Sequence, residues 1–397
     1  MKHQLLTGVR QTSPASFGLA LGALVLAISP AWADEETLDI GFAAALSGYL
    51  APFDQPALNG AQLAVEEINA GGGIDGKYMI NLDVKDVRSE TAQSAIAAQE
   101  FIDDEVDVLF VPCDNDPGIA AGSVAQANEV VSLSPCNSSS SVATAVGTYM
   151  FTVNVMDNLQ GAVLAIHARE QGYQNAYLLS SAGTDYTKML PQFFATAFQN
   201  KGGTIVGESS FTFGQQDFSA EVTAIRNTSP APDVIMTAAY EPEFPAFLTQ
   251  LRAAGVMTPV IASDGVDSPT TFSLGEVGEG VVFTGAGFPL EGSRLADFYA
   301  NYEARYGHPP ESAYTAVGYD AVRILEAAVI QSGALNGPAL RDAIDNLENA
   351  EGSVGSITFK GQGRIPLREV SLTRVNGGER EYVDQFIPDA ADVPPAN

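Results

Sequence analysis

The stretch NAGGGIDGKY, Asn69 to Tyr78, is where nucleotide chemistry would first be sought. From Gly71 it reads G-x-x-x-x-G-K, one residue short of a phosphate-binding loop. Such a loop needs a strand before it and a helix after it, so that helix N-terminal amides face the phosphate. Here the pattern is helix before and strand after, and Tyr78 leaves no Ser or Thr hydroxyl for magnesium. A helix C-cap followed by a tight turn explains the glycines better. No nucleotide, metal or other cofactor is expected. Beyond the N-terminal segment only His167, in a helical pattern, and His308, in the loop YGHPPE, could serve as a general base. There is no G-x-S-x-G elbow, no H-E-x-x-H and no paired-cysteine metal spacing. A secreted hydrolase is therefore a minor alternative, and no enzyme is expected.

The 397 residues suffice for two domains of ordinary size. Residues 1–33 read as a secretory signal peptide: Lys2 and Arg10, an apolar run from Phe17 to Ser29, and a small-x-small site at Ala31–Ala33. A membrane anchor is the alternative, but the run is shorter than the roughly 20 residues a span needs. Losing the two basic residues takes the formal charge from -29 to -31. So acidic a chain disfavours nucleic acid and anionic membranes as partners. The two cysteines, Cys113 and Cys136, would close a loop of 24 residues if bridged. That is worth about 3 kcal/mol in the chain-entropy picture. Two free buried thiols are the alternative.

From Leu38 onward, short apolar runs alternate with helical patterns. LDIGF reads as a strand, and NGAQLAVEEIN places Ala61, Ala64, Val65 and Ile68 on one helix face. Further cycles follow through MINLDV, VDVLFV and VVSL, and restart after Phe151 with AYLLS, TIVGE, DVIMTA, PVIAS and GVVFTG. Late helices are expected near Ser293–Tyr306, Ala316–Gln331 and Pro338–Leu347. Repeated β-α units predict an α/β protein of two similar lobes with parallel sheets covered on both faces.

The segment AALSGYLAPFDQPALNGAQLAVEEINAGGGIDGKY resembles the opening of the leucine-type periplasmic solute-binding proteins, the type I binding proteins of ABC importers. The resemblance continues, in order, through DFSAEVTAIRN, AAYEPEFPAFLTQLRAAG, SDGVDS and YTAVGYDAVRILEAA, and covers nearly all of the chain after residue 33. It implies two Rossmann-like lobes of the Venus flytrap kind, residues 34–153 with 286–358 and 154–285 with 359–386, followed by a flexible tail at 387–397. It also implies three hinge crossovers, near Phe151–Asn154, Thr284–Phe288 and Thr358–Arg364. The implied protein is a periplasmic monomer that carries a small solute to an ABC permease in the inner membrane. A sensing domain for a membrane receptor would share the same fold.

Strand-end loops converge on a crevice in open parallel sheets, and the resemblance implies which residues face it. From the first lobe these are Phe53, Asp114 and Asn115 in CDNDPG, and Cys136, Asn137 and Ser138 in SPCNSSSSVAT. From the second come Tyr186, Tyr240 and Asp264, with Tyr314 and Phe288 completing an aromatic wall. The backbone at Cys136 and the hydroxyl and amide of Ser138 would meet an amino acid's charged ends, and Asp264 would pair with its ammonium. Asp114 departs from the serines usual at its place, and Asp116 is expected to cap the following helix. Acids with aromatics suit an amine-containing ligand.

Overall fold

The structure, a computed structural model, describes residues 36–396; the expected leader at 1–33 lies outside them. The first sheet is built from β1 (Thr37–Ala44), β2 (Met79–Asp86), β3 (Val108–Phe110), β4 (Val131–Ser134) and β5 (Met150–Thr152). Its order is β2-β1-β3-β4-β5, parallel throughout. The connecting helices are α1 (Ala51–Ala70), α2 (Thr91–Asp103), α3 (Asn115–Ala127) and α4 (Val142–Val146). β1 is central, and Ile40 to Ala44 are buried without alternation, as a strand covered on both faces requires.

The second lobe begins with α5 (Asp157–Glu170). It continues through β6 (Asn175–Ser181), α6 (Asp185–Asn200), β7 (Thr204–Phe211), α7 (Ser219–Asn227), β8 (Val234–Thr237) and α8 (Glu243–Ala253). β9 (Val260–Ala262), α9 (Pro269–Phe272) and β10 (Val282–Gly285) complete this run. The chain then returns to the first lobe as α10 (Arg294–Tyr306), α11 (Ala313–Ser332), α12 (Gly337–Asp345) and the hairpin β11 (Ala350–Gly352) and β12 (Gly355–Ile357). It finishes with β13 (Val370–Asn376) and β14 (Glu379–Phe386) on the second sheet, whose order is β14-β13-β10-β9-β8-β6-β7.

The chain passes between the sheets three times: after β5, after β10 and between β12 and β13. Arg368, in the third passage, is buried; it pairs with Asp320 on α11 at 2.6 Å and donates to the carbonyl of Val153 in the first. The second sheet is mixed rather than all parallel. β13 is antiparallel to β10 and to β14, and Gly377 and Gly378, both with positive φ, make the two-residue turn of a terminal hairpin.

Two further sequence expectations meet the structure here. The Gly71–Gly73 run ends α1, with Gly72 and Gly73 left-handed and the Gly73 amide donating to the Ile68 carbonyl. No strand precedes it, so nothing there cradles a phosphate. The C-terminal segment, expected to be flexible, is held on the second lobe. Asp392 meets Lys201 at 2.7 Å, the Pro394 carbonyl accepts from Asn158, and Val393 packs on the core.

Helices α1 and α11 cross at two glycines. A Cβ at Gly60 would overlap the Thr315 carbonyl, and one at Gly318 would overlap the Ala57 carbonyl. Each helix thus rests its backbone on the other's bare glycine, which fixes Phe53 on α1 against Tyr314 on α11. Gly60→Ala or Gly318→Ala should each force the helices apart. We expect a loss of about 1–3 kcal/mol or more, read as a lower Tm by circular dichroism; an unchanged Tm in both variants would show that the crossing is looser than described.

Candidate functional site

Loops leaving the C-terminal ends of the strands of both lobes face one another across a partly open pocket, whose empty space of about 450 Å³ includes solvent at its mouth. Its first-lobe wall starts at α1. Pro52 sits in that helix's first turn, where no amide donor is needed, and Phe53 beside it projects into the cavity. The next residue, Asp54, is fully buried and accepts from the amides of Ala45 at 2.6 Å and Cys113 at 2.9 Å. It thereby ties the loops after β1 and β3 to the start of α1. Cys113 is joined by a disulfide to Cys136 after β4, with Cα atoms 4.8 Å apart. Three strand-end loops are locked together beneath the cavity.

Of the residues named from sequence, Phe53, Asp114, Asn115, Cys136, Asn137, Ser138, Tyr186, Tyr240 and Tyr314 all line this cavity, together with Leu50, Cys113, Ser139 and Gly265. Phe53 makes edge-on contacts with Tyr240 of the second lobe and Tyr314 of the first, at ring-centroid distances of 5.3 Å and 5.4 Å. Asp264 does not reach the wall. It is buried behind Tyr186, whose hydroxyl donates to it at 2.7 Å, and its other oxygen accepts from Asn154 at 2.9 Å. Its carboxylate is bonded to Tyr186 and to Asn154 of the first crossover. Phe288 is also outside; its ring packs on Tyr382. The N-cap of α3 is Asp114, accepting from the Asn115 amide at 2.7 Å, and Asp116 lies exposed in the first turn instead. His167 is buried on α5 and His308 is exposed beside Glu311; neither lines the cavity.

Sequence reasoning missed the rim. Tyr49, after β1, and Phe213, after β7, approach across the mouth with ring centroids 6.2 Å apart, and Phe213 packs on Tyr240. Tyr49 also donates to Asp114 at 3.3 Å. The signal was present in SGYLAPFDQ, where Tyr49 is the first aromatic. On another edge, Ser139 of the first lobe donates to Asp185 at the start of α6 at 2.9 Å.

The electrostatics are one-sided. Burial pushes Asp54 up to about 7 from 3.8 despite its two amide donors. Burial likewise raises Asp114 to about 6, aided by Asp116 and Asp185. Asp157, at the start of α5, is driven well upward by burial and by the nearby carboxylates of Asp264, Asp185 and Asp114; burial raises Asp264 too. No Lys, Arg or His is among the described residues lining the cavity. Three of the lining residues hold a buried polar atom without a well-formed hydrogen bond: Asn115 Oδ1, Asn137 Nδ2 and the Tyr240 hydroxyl.

These raised carboxyls have a consequence for stability. Each holds its proton in the folded state at a pH where the unfolded chain has lost it, so folding is favoured on the acid side and penalised as pH rises through the folded values. The Tm of the solute-free protein should therefore rise from about pH 8 to about pH 5 in a calorimetric series. A steady fall over that range would contradict the burial of these groups.

Comparison with known proteins agrees with this architecture. The family profile described as Periplasmic binding protein matches residues 37–380. A Leu/Ile/Val-binding protein of Rhizobium johnstonii is 26% identical over 345 residues, covering 86% of this chain and 92% of its own. A leucine-binding protein from Thermotoga maritima superposes with a TM-score of 0.82 at 27% identity, covering 89% of this chain and 99% of that one. A branched-chain amino acid transporter substrate-binding protein from Streptococcus pneumoniae, solved with isoleucine, gives a TM-score of 0.80 at 26% identity, covering 89% and 100%. With two hinged α/β lobes and a profile spanning most of its length, the chain belongs to the periplasmic binding protein family.

Proposed function

We propose that this protein is exported behind a cleavable leader, captures a small amino-acid-like solute bearing an amino group in the interlobe cavity, and delivers it to an ABC permease in the inner membrane. It does so as a monomer and breaks no bond. The observation that carries this reading is one pocket lined from both lobes, in which Asn115, Asn137 and Tyr240 each hold a buried polar atom without a partner. Buried polar atoms without partners are costly, by about 1–3 kcal/mol each, so a solute that satisfies them gains that energy back on binding. Leucine and isoleucine, the ligands named for the relatives, carry an amine of the required kind.

The lobes meet over the cavity through Phe53 and Tyr240, Ser139 and Asp185, and the amide of Ala313 with Asp267 at 2.7 Å. A solute touching both walls favours this closed arrangement over an open one. The permease would then recognise the closed shape.

Titration calorimetry with amines and amino acids tests the reading directly, and small-angle scattering should show the protein contracting when a binder is added. Binding of simple anionic acids with none of any amine would reject it. Tyr240→Phe provides a sharper test. Its hydroxyl lies near Thr184 without a well-formed hydrogen bond, so Tm should change little while affinity falls by about tenfold. Undiminished affinity in that variant would remove Tyr240 from the binding surface.

A further inference from the structure

We propose that the solute is a cationic amine without a free carboxylate, its carboxyl group absent or masked as an amide, and that Asp114 is the residue that excludes the anion. This rests on the reading that the cavity takes an amine.

An amino acid brings two charged ends, and the carboxylate needs cations or free amide donors once it leaves water. The described wall offers no cationic side chain. Several of its amides are engaged by the chain itself, although that of Ser138 is not. The start of α3 would ordinarily suit an anion, yet the Asn115 amide is taken by Asp114 at 2.7 Å. In the loop after β4, the Asn137 amide donates to Ser134 at 3.2 Å and the Ser139 amide to the Asn137 side chain at 2.9 Å. The place where a carboxylate would be held already contains one.

Charge around that place points the same way. Asp114 faces Asp116 and Asp185, while Asp54 lies beneath and Asp157 and Asp264 stand behind the wall. Asp114, with Asp116 and Asp185 near it, would repel a further anion. An ammonium is favoured by the same field. It finds the unpartnered Asn115 Oδ1 next to Asp114 and the faces of Phe53, Tyr240 and Tyr314. The remaining unpartnered groups, Asn137 Nδ2 and the Tyr240 hydroxyl, suit a neutral carbonyl oxygen such as that of an amide.

Four probes of one shape separate the possibilities in calorimetry on the full-length protein: leucine, leucinamide, isopentylamine and isocaproate. Leucinamide or isopentylamine should bind at least about tenfold more tightly than leucine, as expected for like-charge exclusion. Asp114→Ser and Asp114→Asn keep a residue able to cap α3, and both should narrow that gap by improving leucine. Leucine binding more tightly than both carboxylate-free amines, or a gap unmoved in both folded variants, overturns the inference while leaving the amine reading intact. Isocaproate as the tightest ligand, or silence from all four, rejects the inference together with the reading beneath it.

Discussion

The site hangs on one buried carboxylate. Asp54 accepts two amides from loops that are distant in sequence, and the disulfide from Cys113 extends the tie to a third loop. Without Asp54 the amides of Ala45 and Cys113 would lose their acceptor inside a water-poor space, a cost of about 1–3 kcal/mol each. With it, the loops after β1, β3 and β4 become a single rigid floor attached to α1. Phe53, Asp114, Asn115, Asn137 and Ser138 are arranged on this floor. A binding surface built on loops is held this firmly only when something beneath the loops stops them moving independently.

The same burial that makes Asp54 a clamp makes the whole cleft unusual in charge. Lone aspartates in a low-dielectric setting lose solvation, and neighbouring aspartates raise each other further. The chain tolerates this because several of the carboxylates are structural: Asp54 clamps loops, Asp114 caps α3, and Asp264 holds Tyr186 and Asn154. Asn154 donates to Asp264 and also to the Cys136 carbonyl at 2.9 Å. The first crossover is thereby connected to loops of both lobes. Field and architecture are therefore not separable here, since the residues that shape the potential are those that hold the walls.

Much of this was legible in the sequence, and what was not has identifiable causes. Period-two and period-3.6 patterns located β1, α1, β2 and α2, because strands and helices of an α/β lobe bury regular faces. The resemblance brought nine distant residues to one cavity. It misplaced Asp264, because whether a side chain faces a ligand or a neighbour depends on what surrounds it; here Tyr186 stands in front. Asp54 went unread since a lone aspartate in a helix's first turn usually signals only a favourable helix dipole. Helix α3 begins at Asn115, so Asp114 takes the cap that Asp116 had been expected to supply. The terminal hairpin was announced by Asn376-Gly377-Gly378 between alternating runs, but a β-α rhythm does not foreshadow an antiparallel ending.

How the halves move follows from which contacts span them. Those across the cleft include two aromatic contacts, Phe53 with Tyr240 and Tyr49 with Phe213. They also include hydrogen bonds from Ser139 to Asp185, from the Ala313 amide to Asp267, from the Asp157 amide to the Ser138 carbonyl and from Arg380 to the Glu311 carbonyl. Hydrogen bonds between neutral groups are worth about 1 kcal/mol net each, and those to charged groups about 1.5–3. At the pivot the bonding is of a different order. Arg368 is buried between Asp320 and the Val153 carbonyl, and Ser353 donates to Asp320 as well, so two of the three passages are pinned to α11. Breaking that pair would strand a charge in the interior, at several kcal/mol. The crossovers are therefore held by a buried ion pair, while the cleft is bridged by hydrogen bonds and aromatic contacts nearer the surface.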